Sequence, residues 1–361
     1  MFSKNNYIVN LKNLKNNAKI IRRVVGNRVK ICAVVKANAY GMGMCAISSA
    51  LVDDVEFFGV ASVCEAVSFR EYNKKSKVLI LGEVNLDAIQ WCAENNVSVA
   101  VSSLEELQYI DKNLNGQLLK IHLKVNTGLN RIGFDSIIKF NKAVSIVKKS
   151  YVMSLEGVFT HFATKANDIK FIEKQHEILE KYIKNIPNDV IVHCCNSFAT
   201  LNDKRYLHNM VRTGFALYGE HECNYKLQSV LSITSSIIHI HRVKKNETVG
   251  YDRTFRAKQD MNVAIVPVGY ADGLDRRLSN NFYLLVNGKR APIVGNICMD
   301  VVMLDVTNIS QVYVGSKVTL IGLDGVEKLT PQDYATKLQT SAYEILLKFN
   351  YKRMNYVVIN E

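Results

Sequence analysis

The chain has 361 residues, 48% hydrophobic and 22% charged, with a formal net charge of +13. That length fits one large domain with a smaller one, and no apolar stretch reaches the ~20 residues that span a bilayer. The lysines are scattered through a Lys- and Asn-rich background without a dense basic block or interleaved aromatics, so the charge reads as a solvated basic surface and nucleic acid is not an expected partner.

The opening MFSKNNYIVNLKNLKNN lacks the apolar core of a secretory signal. A cytoplasmic location is therefore expected, and residues before about 12 are candidates to pair with a later domain. Short runs rich in Val, Ile, Ala and Phe then recur at 31–35 (ICAVV), 56–61 (EFFGVA), 77–82 (KVLILG), 97–101 (VSVAV), 119–125 (LKIHLKV), 155–160 (LEGVFT), 190–195 (VIVHCC) and 211–217 (VRTGFAL). The segments between them are amphipathic and helical in pattern. SLEELQYIDKNL opens with Ser103 and Glu106 spaced as a capping box. Eight strand–helix units predict an α/β fold, a (β/α)8 TIM barrel over residues 1–225. Over 226–361 the rhythm changes to alternating or apolar strands with short turns, which predicts a mostly β C-terminal domain. Within it, Asn287 and Gly288 between apolar runs signal a hairpin.

Eight cysteines contain no C-x-x-C spacing, and Cys194 and Cys195 are adjacent, so reduced thiols are expected rather than a disulfide framework, and no metal site.

In such a barrel the C-terminal ends of the strands form the mouth of the active site. Lys36 ends the first strand. On the fifth, Ile121, Leu123 and Val125 would face the helices, which turns His122 and Lys124 inward. Arg131 follows on the next turn, His161 after the sixth strand, Asn196 and Ser197 after the seventh, and Arg212 on the eighth, followed by Gly214. Each has a plain structural alternative: a strand-end lysine snorkels to water, a histidine satisfies the core, and Asn196 with Ser197 caps a helix. Together, inward-facing Lys124, Arg131 and Arg212 demand an anion, whether phosphate, carboxylate or a modified lysine. Ser197 and the Gly214 turn fall where barrels hold phosphate. A lysine, a phosphate cradle and no metal set suggest a pyridoxal phosphate (PLP) Schiff base.

AVVKANAYGMG at 33–43 resembles the PLP-lysine motif of alanine racemases. The resemblance continues in family order through HLKVNTGLNRIGF, FTHFAT, HCCNS, VRTGFALYG, VGYDRTF, PVGYADG and APIVGNICMD, over nearly the whole chain. It implies a fold-type III PLP enzyme, a barrel plus a β domain, forming a homodimer whose active sites combine both subunits, with a small-molecule amino-acid substrate. By the resemblance Lys36 carries PLP and Tyr251, from the partner protomer, is the second acid–base residue. Tyr40, Ser197 with neighbouring Asn196, the backbone at Gly214 and Phe215, and Tyr351 hold the cofactor. Arg212 faces the pyridine nitrogen and His161 lies beside the ring. Arg131 and the Met299 backbone contact the substrate carboxylate, Tyr270 and Asp300 form the inner gate, and Lys124 matches a lysine often carbamylated in the family.

The chemistry requires these types. Racemisation removes a proton from one face of the α-carbon and returns one to the other, so two acid–base groups must flank it. An ordinary phenol holds its proton to a pH near ~10, so the tyrosine needs activation, for which His161 and Arg212 are the candidates.

Several positions depart from the family pattern. Met42 stands where YGHG has His, Asn126 where Asp is usual, Asn296 where Arg is common, and the C-terminal NYKRMNY lacks RVPR. The resemblance implies L- and D-alanine interconversion, supplying D-alanine for peptidoglycan. The alternatives are a serine or broad-specificity racemase, a non-catalytic PLP carrier, and a PLP decarboxylase barrel.

Overall fold

The computed structural model describes residues 3–164, 168–221, 223–349 and 351–360. These fall into two compact units: Leu14–Ala39 with Gly43–Gln228, and the described residues of Met1–Asn13, Tyr40–Met42 and Ser229–Glu361.

The first strand, β1 (Asn6–Asn10), belongs to the second of these units. The other unit holds β2 (Lys30–Val34), β3 (Phe57–Val60), β4 (Lys77–Ile80), β5 (Val97–Val101), β6 (Leu119–Lys124), β7 (Met153–Phe159), β8 (Ile191–His193) and β9 (Met210–Thr213). They pair in parallel in the order β9-β2-β3-β4-β5-β6-β7-β8. An Arg212 N–H to Cys195 carbonyl bond of 3.0 Å links the last two strands. The expected (β/α)8 barrel is present. Its strands read as unbroken apolar runs because parallel strands are covered on both faces; every residue of FFGV in β3 and VSVAV in β5 is buried. Helices alternate with them, and the Ser103–Glu106 capping box opens Leu104–Asn113.

Two strands are shorter than the sequence suggested. The run at 190–195 is a strand only over Ile191–His193, and the one at 211–217 ends at Thr213. The cause of the second is local: the N–H groups of Gly214 and Ala216 donate to Ser197 Oγ, at 3.3 and 3.1 Å, which turns the chain out of the ladder.

The other unit is mostly β. It adds β10 (Leu231–Ser236), β11 (His239–Val243), β12 (Thr248–Val249), β13 (Phe255–Arg256), β14 (Met261–Val266), β15 (Tyr283–Val286), β16 (Lys289–Pro292), β17 (Val302–Asp305), β18 (Lys317–Asp324), β19 (Glu327–Leu329) and β20 (Asn355–Ile359). The main sheet runs β16-β15-β18-β10-β1-β20, with β19 on β18, while β11-β14-β17 form a second sheet. The alternating burial of β1 and β10 marks one covered and one more open face. Asn287 (φ 50) and Gly288 (φ 72) make the two-residue turn of the β15–β16 hairpin, a geometry that needs positive φ at both positions.

Candidate active site

The apolar strand β2 stops at Val34, and Lys36 opens a turn instead of ending the strand. Ala37, Asn38, Ala39 and Tyr40 all adopt left-handed helical conformation, with φ from 52 to 56. Four successive non-glycine residues in that region cost of order 4–8 kcal/mol in sum, and such strain persists only where the surroundings impose it. Here Glu65 accepts the Ala37 N–H at 2.7 Å while its other oxygen accepts the Ala61 N–H, and Asn38 Oδ1 accepts the Met44 N–H. The turn sets Lys36 at the strand end with its surface open to solvent. Partial desolvation of the amine, then the Arg131 charge, lower its pKa; Glu65 opposes this and Arg212 reinforces it.

Lys124, at the end of β6, is buried, and its Nζ lies 5.6 Å from the centre of the Phe159 ring. Burial, followed by Arg131, Arg212 and Lys36, pushes its pKa down to about 8. Arg131 is exposed and makes no hydrogen bond among the described residues. Arg212, on β9, is buried without a carboxylate partner. Its Nη1 donates to His193 Nδ1 (2.7 Å) and the His193 carbonyl, and its Nη2 to the Thr160 carbonyl (2.7 Å) and His161 Nδ1 (3.2 Å). Nε–H is left without an acceptor among the described residues. His161 is held neutral: burial, then Arg212, push its pKa down to about 3, and since Nδ1 accepts from Arg212 its proton sits on Nε2.

The arginine heads a chain of hydrogen bonds through the barrel interior. His193 Nδ1 accepts from Arg212, so its Nε2–H donates to His122 Nδ1 at 2.8 Å, and His122 Nε2–H donates to Glu156 Oε2 at 3.0 Å. Each step is directed by the one before, because an arginine can only donate. Burial pushes the Glu156 carboxyl up, but the bonds from His122 and Ser98 outweigh this and hold it at about 2. Its negative charge thus answers Arg212 through two imidazoles. Gly157 makes room: a Cβ there would stand 2.2 Å from His122 Nδ1. Gly157→Ala is expected to displace His122, cost about 1–3 kcal/mol of stability and lower kcat more than it raises KM, read by denaturant melts and steady-state kinetics. Unchanged kinetics would remove the chain from the catalytic account. His193 and Glu156 were not singled out in the sequence; the mid-strand glycine beside Glu156 was the available signal for a close approach.

Asn196 caps Ser197–Asn202, accepting the Ala199 N–H, and Ser197 begins that helix. Ser197 Oγ accepts two backbone N–H groups, so its own proton is available to an acceptor outside them. The barrel mouth thus gathers Lys36, Lys124, Arg131, Arg212, His161 and Ser197. Among the described residues, one carboxylate, Glu65, stands close to the four cations at the mouth, and it is already engaged by backbone. This donor set fits a phosphorylated, aldehyde-bearing cofactor, with an amine to bind it and cations to answer its phosphate.

Of the remaining predicted residues, Phe215 is buried in the barrel unit and the others lie in the β unit. Tyr251 (70% exposed), Tyr270 (43%), Met299 (54%) and Asp300 line one surface cleft of about 670 Å³. The Met299 carbonyl accepts the Ala271 N–H, while its own N–H has no partner among the described residues. Arg353 joins Asp300 (2.5 Å) to buried Asp272 (3.0 Å). Tyr40 and Tyr351 are in an aromatic group: Tyr40 packs on Tyr343, and Tyr351 on Tyr7 and Tyr356. Of the departures, Met42 is fully buried, Asn126 accepts the Gly128 and Asn130 N–H groups, and Asn296 Nδ2 donates to the Tyr251 carbonyl at 3.1 Å.

Residues 9–222 match the family model for the alanine racemase N-terminal domain, and 230–358 the model for its C-terminal domain. The chain belongs to the alanine racemase family. It is a PLP-dependent amino-acid racemase, an isomerase acting on a small molecule. An alanine racemase of Caldanaerobacter subterraneus subsp. tengcongensis is 37% identical over 351 residues, covering 93% of this chain and 90% of that one. The crystal structure of alanine racemase from E. faecalis superposes with a TM-score of 0.93 at 33% identity, covering 99% and 98% of the two chains. A histidine racemase from Leuconostoc mesenteroides subsp. sake gives 0.90 at 27% identity, covering 99% and 98%. No helix of the described residues is long and apolar enough to cross a membrane.

Proposed function

We propose that the racemase interconverts L- and D-alanine, with Lys36 and Tyr251 as acid–base groups on opposite faces of the substrate α-carbon. The observation that carries this reading is the Lys36 amine, set by a left-handed turn at a cationic barrel mouth that lowers its affinity for a proton. The cofactor, when bound, supplies an electron sink for the charge left on the α-carbon.

The chain's own groups do the rest. Ser197 O–H, with the backbone at Gly214 and Phe215 and the phenols of Tyr40 and Tyr351, would hold the cofactor phosphate, and Asn196 keeps Ser197 in place by capping its helix. Arg212 would offer its Nε–H to the pyridine nitrogen, and because a guanidinium keeps its proton, that nitrogen would stay unprotonated, a weaker electron sink that would favour reprotonation over side reactions. Neutral His161 would stand beside the ring. Arg131 and the Met299 N–H bind the substrate carboxylate. Tyr270 and Asp300 gate the entrance, Asp300 being held by Arg353. With a pKa near 8, the Lys124 amine has a nucleophilic fraction that adds to carbon dioxide, forming a carbamate N–C bond and releasing a proton; the new anion answers Arg131.

The exposure of Tyr251, Tyr270 and Met299 supports a homodimer in which the partner subunit's Tyr251 completes each site. Eight free cysteines support a reducing, cytoplasmic location, where D-alanine is supplied for peptidoglycan. The likeness to a histidine racemase favours, as a second reading, a racemase of serine or several amino acids. Competing turnover of alanine and serine, followed by chiral chromatography, decides between them. Preference for alanine is expected, and equal specificity constants would establish the broader reading.

A further inference from the structure

We infer that His176, Glu180 and His208 form a binding site for a divalent transition-metal ion of the Zn²⁺ class. His176 and Glu180 stand one turn apart on the helix Ile169–Ile183, and His208 lies in the segment leading into β9. The two imidazole Nε2 atoms are 3.0 Å apart, and a Glu180 carboxylate oxygen is 3.3 Å from His176 Nε2 and 3.7 Å from His208 Nε2. Metal–ligand bonds of ~2.0–2.2 Å in a tetrahedron place ligand atoms ~3.3–3.6 Å apart, and the three distances bracket that edge. Hydrogen bonding alone does not account for the triangle, since 3.7 Å is too long for such a bond.

Two imidazoles and one carboxylate suit Zn²⁺, Co²⁺, Ni²⁺ or Cu²⁺ over Mg²⁺ or Ca²⁺. The histidine side chains are mostly buried and Glu180 is half exposed, so a fourth position opens to water, as three-ligand zinc sites require. The rings are held in place. His176 packs on Tyr206 at 4.9 Å and on His208 at 5.1 Å. The nearby Arg205 cation is taken up by Asp203 and Glu173. The cluster shares no residue with the barrel mouth. Bound metal would staple the helix Ile169–Ile183 to the segment that ends, four residues past His208, at Arg212.

The test uses full-length holoenzyme freed of metal and titrated with Zn²⁺ against a chromophoric chelator. About one tight equivalent is expected, weakened at least about 100-fold in His176→Ala and in His208→Ala. Racemisation in metal-free buffer should match the parent in both variants. The exposed pair His239 and His241, whose rings are 5.6 Å apart, is the competing site, so His239→Ala/His241→Ala must retain the equivalent. Absence of binding in the parent, or binding that survives both single substitutions, overturns the proposal. Should those variants fail to fold, zinc-edge anomalous diffraction from parent crystals decides: a peak between the three side chains supports the site, and its absence at saturating zinc rejects it.

Discussion

Lys36→Ala is expected to reduce alanine racemisation by about 10⁴-fold, equivalent to about 5 kcal/mol of barrel-mouth catalysis. On the proposed assignment the change removes both the amine that would bind the cofactor covalently and one of the two groups that would move the α-proton. Borohydride treatment of the parent followed by peptide mass spectrometry should place the pyridoxyl group on Lys36, and the variant should carry none. A pyridoxyl group on another lysine would overturn the assignment. The structural reason for so large an effect is that Lys36 stands at the end of β2, whereas the other lysine at the mouth, Lys124, is buried at the end of β6 beside Phe159.

Tyr251→Phe should lower racemisation by about 10²–10⁴-fold while leaving the cofactor spectrum and the Lys36 adduct intact. Its diagnostic is asymmetry. If Lys36 and Tyr251 serve opposite faces, the variant still exchanges the α-proton of one alanine enantiomer with deuterated solvent and fails with the other. Equal loss in both directions, or unimpaired racemisation, would show that the phenol is not the second base. The phenylalanine retains the ring, and 70% of the tyrosine surface is already exposed in the single chain, so folding is not expected to suffer.

The barrel was legible because its strands are covered on both sides and therefore appear as unbroken apolar runs, and because Ser103 with Glu106 and Asn287 with Gly288 obey local rules that need no tertiary context. The cationic mouth was legible for the same reason: polar side chains at the ends of such runs have nowhere else to go. What lay beyond reach depends on packing across the chain. His193 sits within VIVHCC and Glu156 within LEGVFT, where each reads as a passenger in a strand; only the barrel's closure sets them on either side of His122. His208 likewise meets His176 across 32 positions. The reversal of backbone hand after Lys36 was hidden as well, since Asn38 alone tolerates such a conformation while Ala37 and Ala39 disfavour it, and their surroundings impose it.

That reversal ties the chemistry to a distant acid. The mirror-image turn is held by the Glu65 carboxylate, which accepts the Ala37 N–H from a neighbouring helix, so Glu65 braces the backbone that carries Lys36. Evolutionary drift at that glutamate would therefore surface as a failing nucleophile at position 36, and the two sites should be inherited as a single unit.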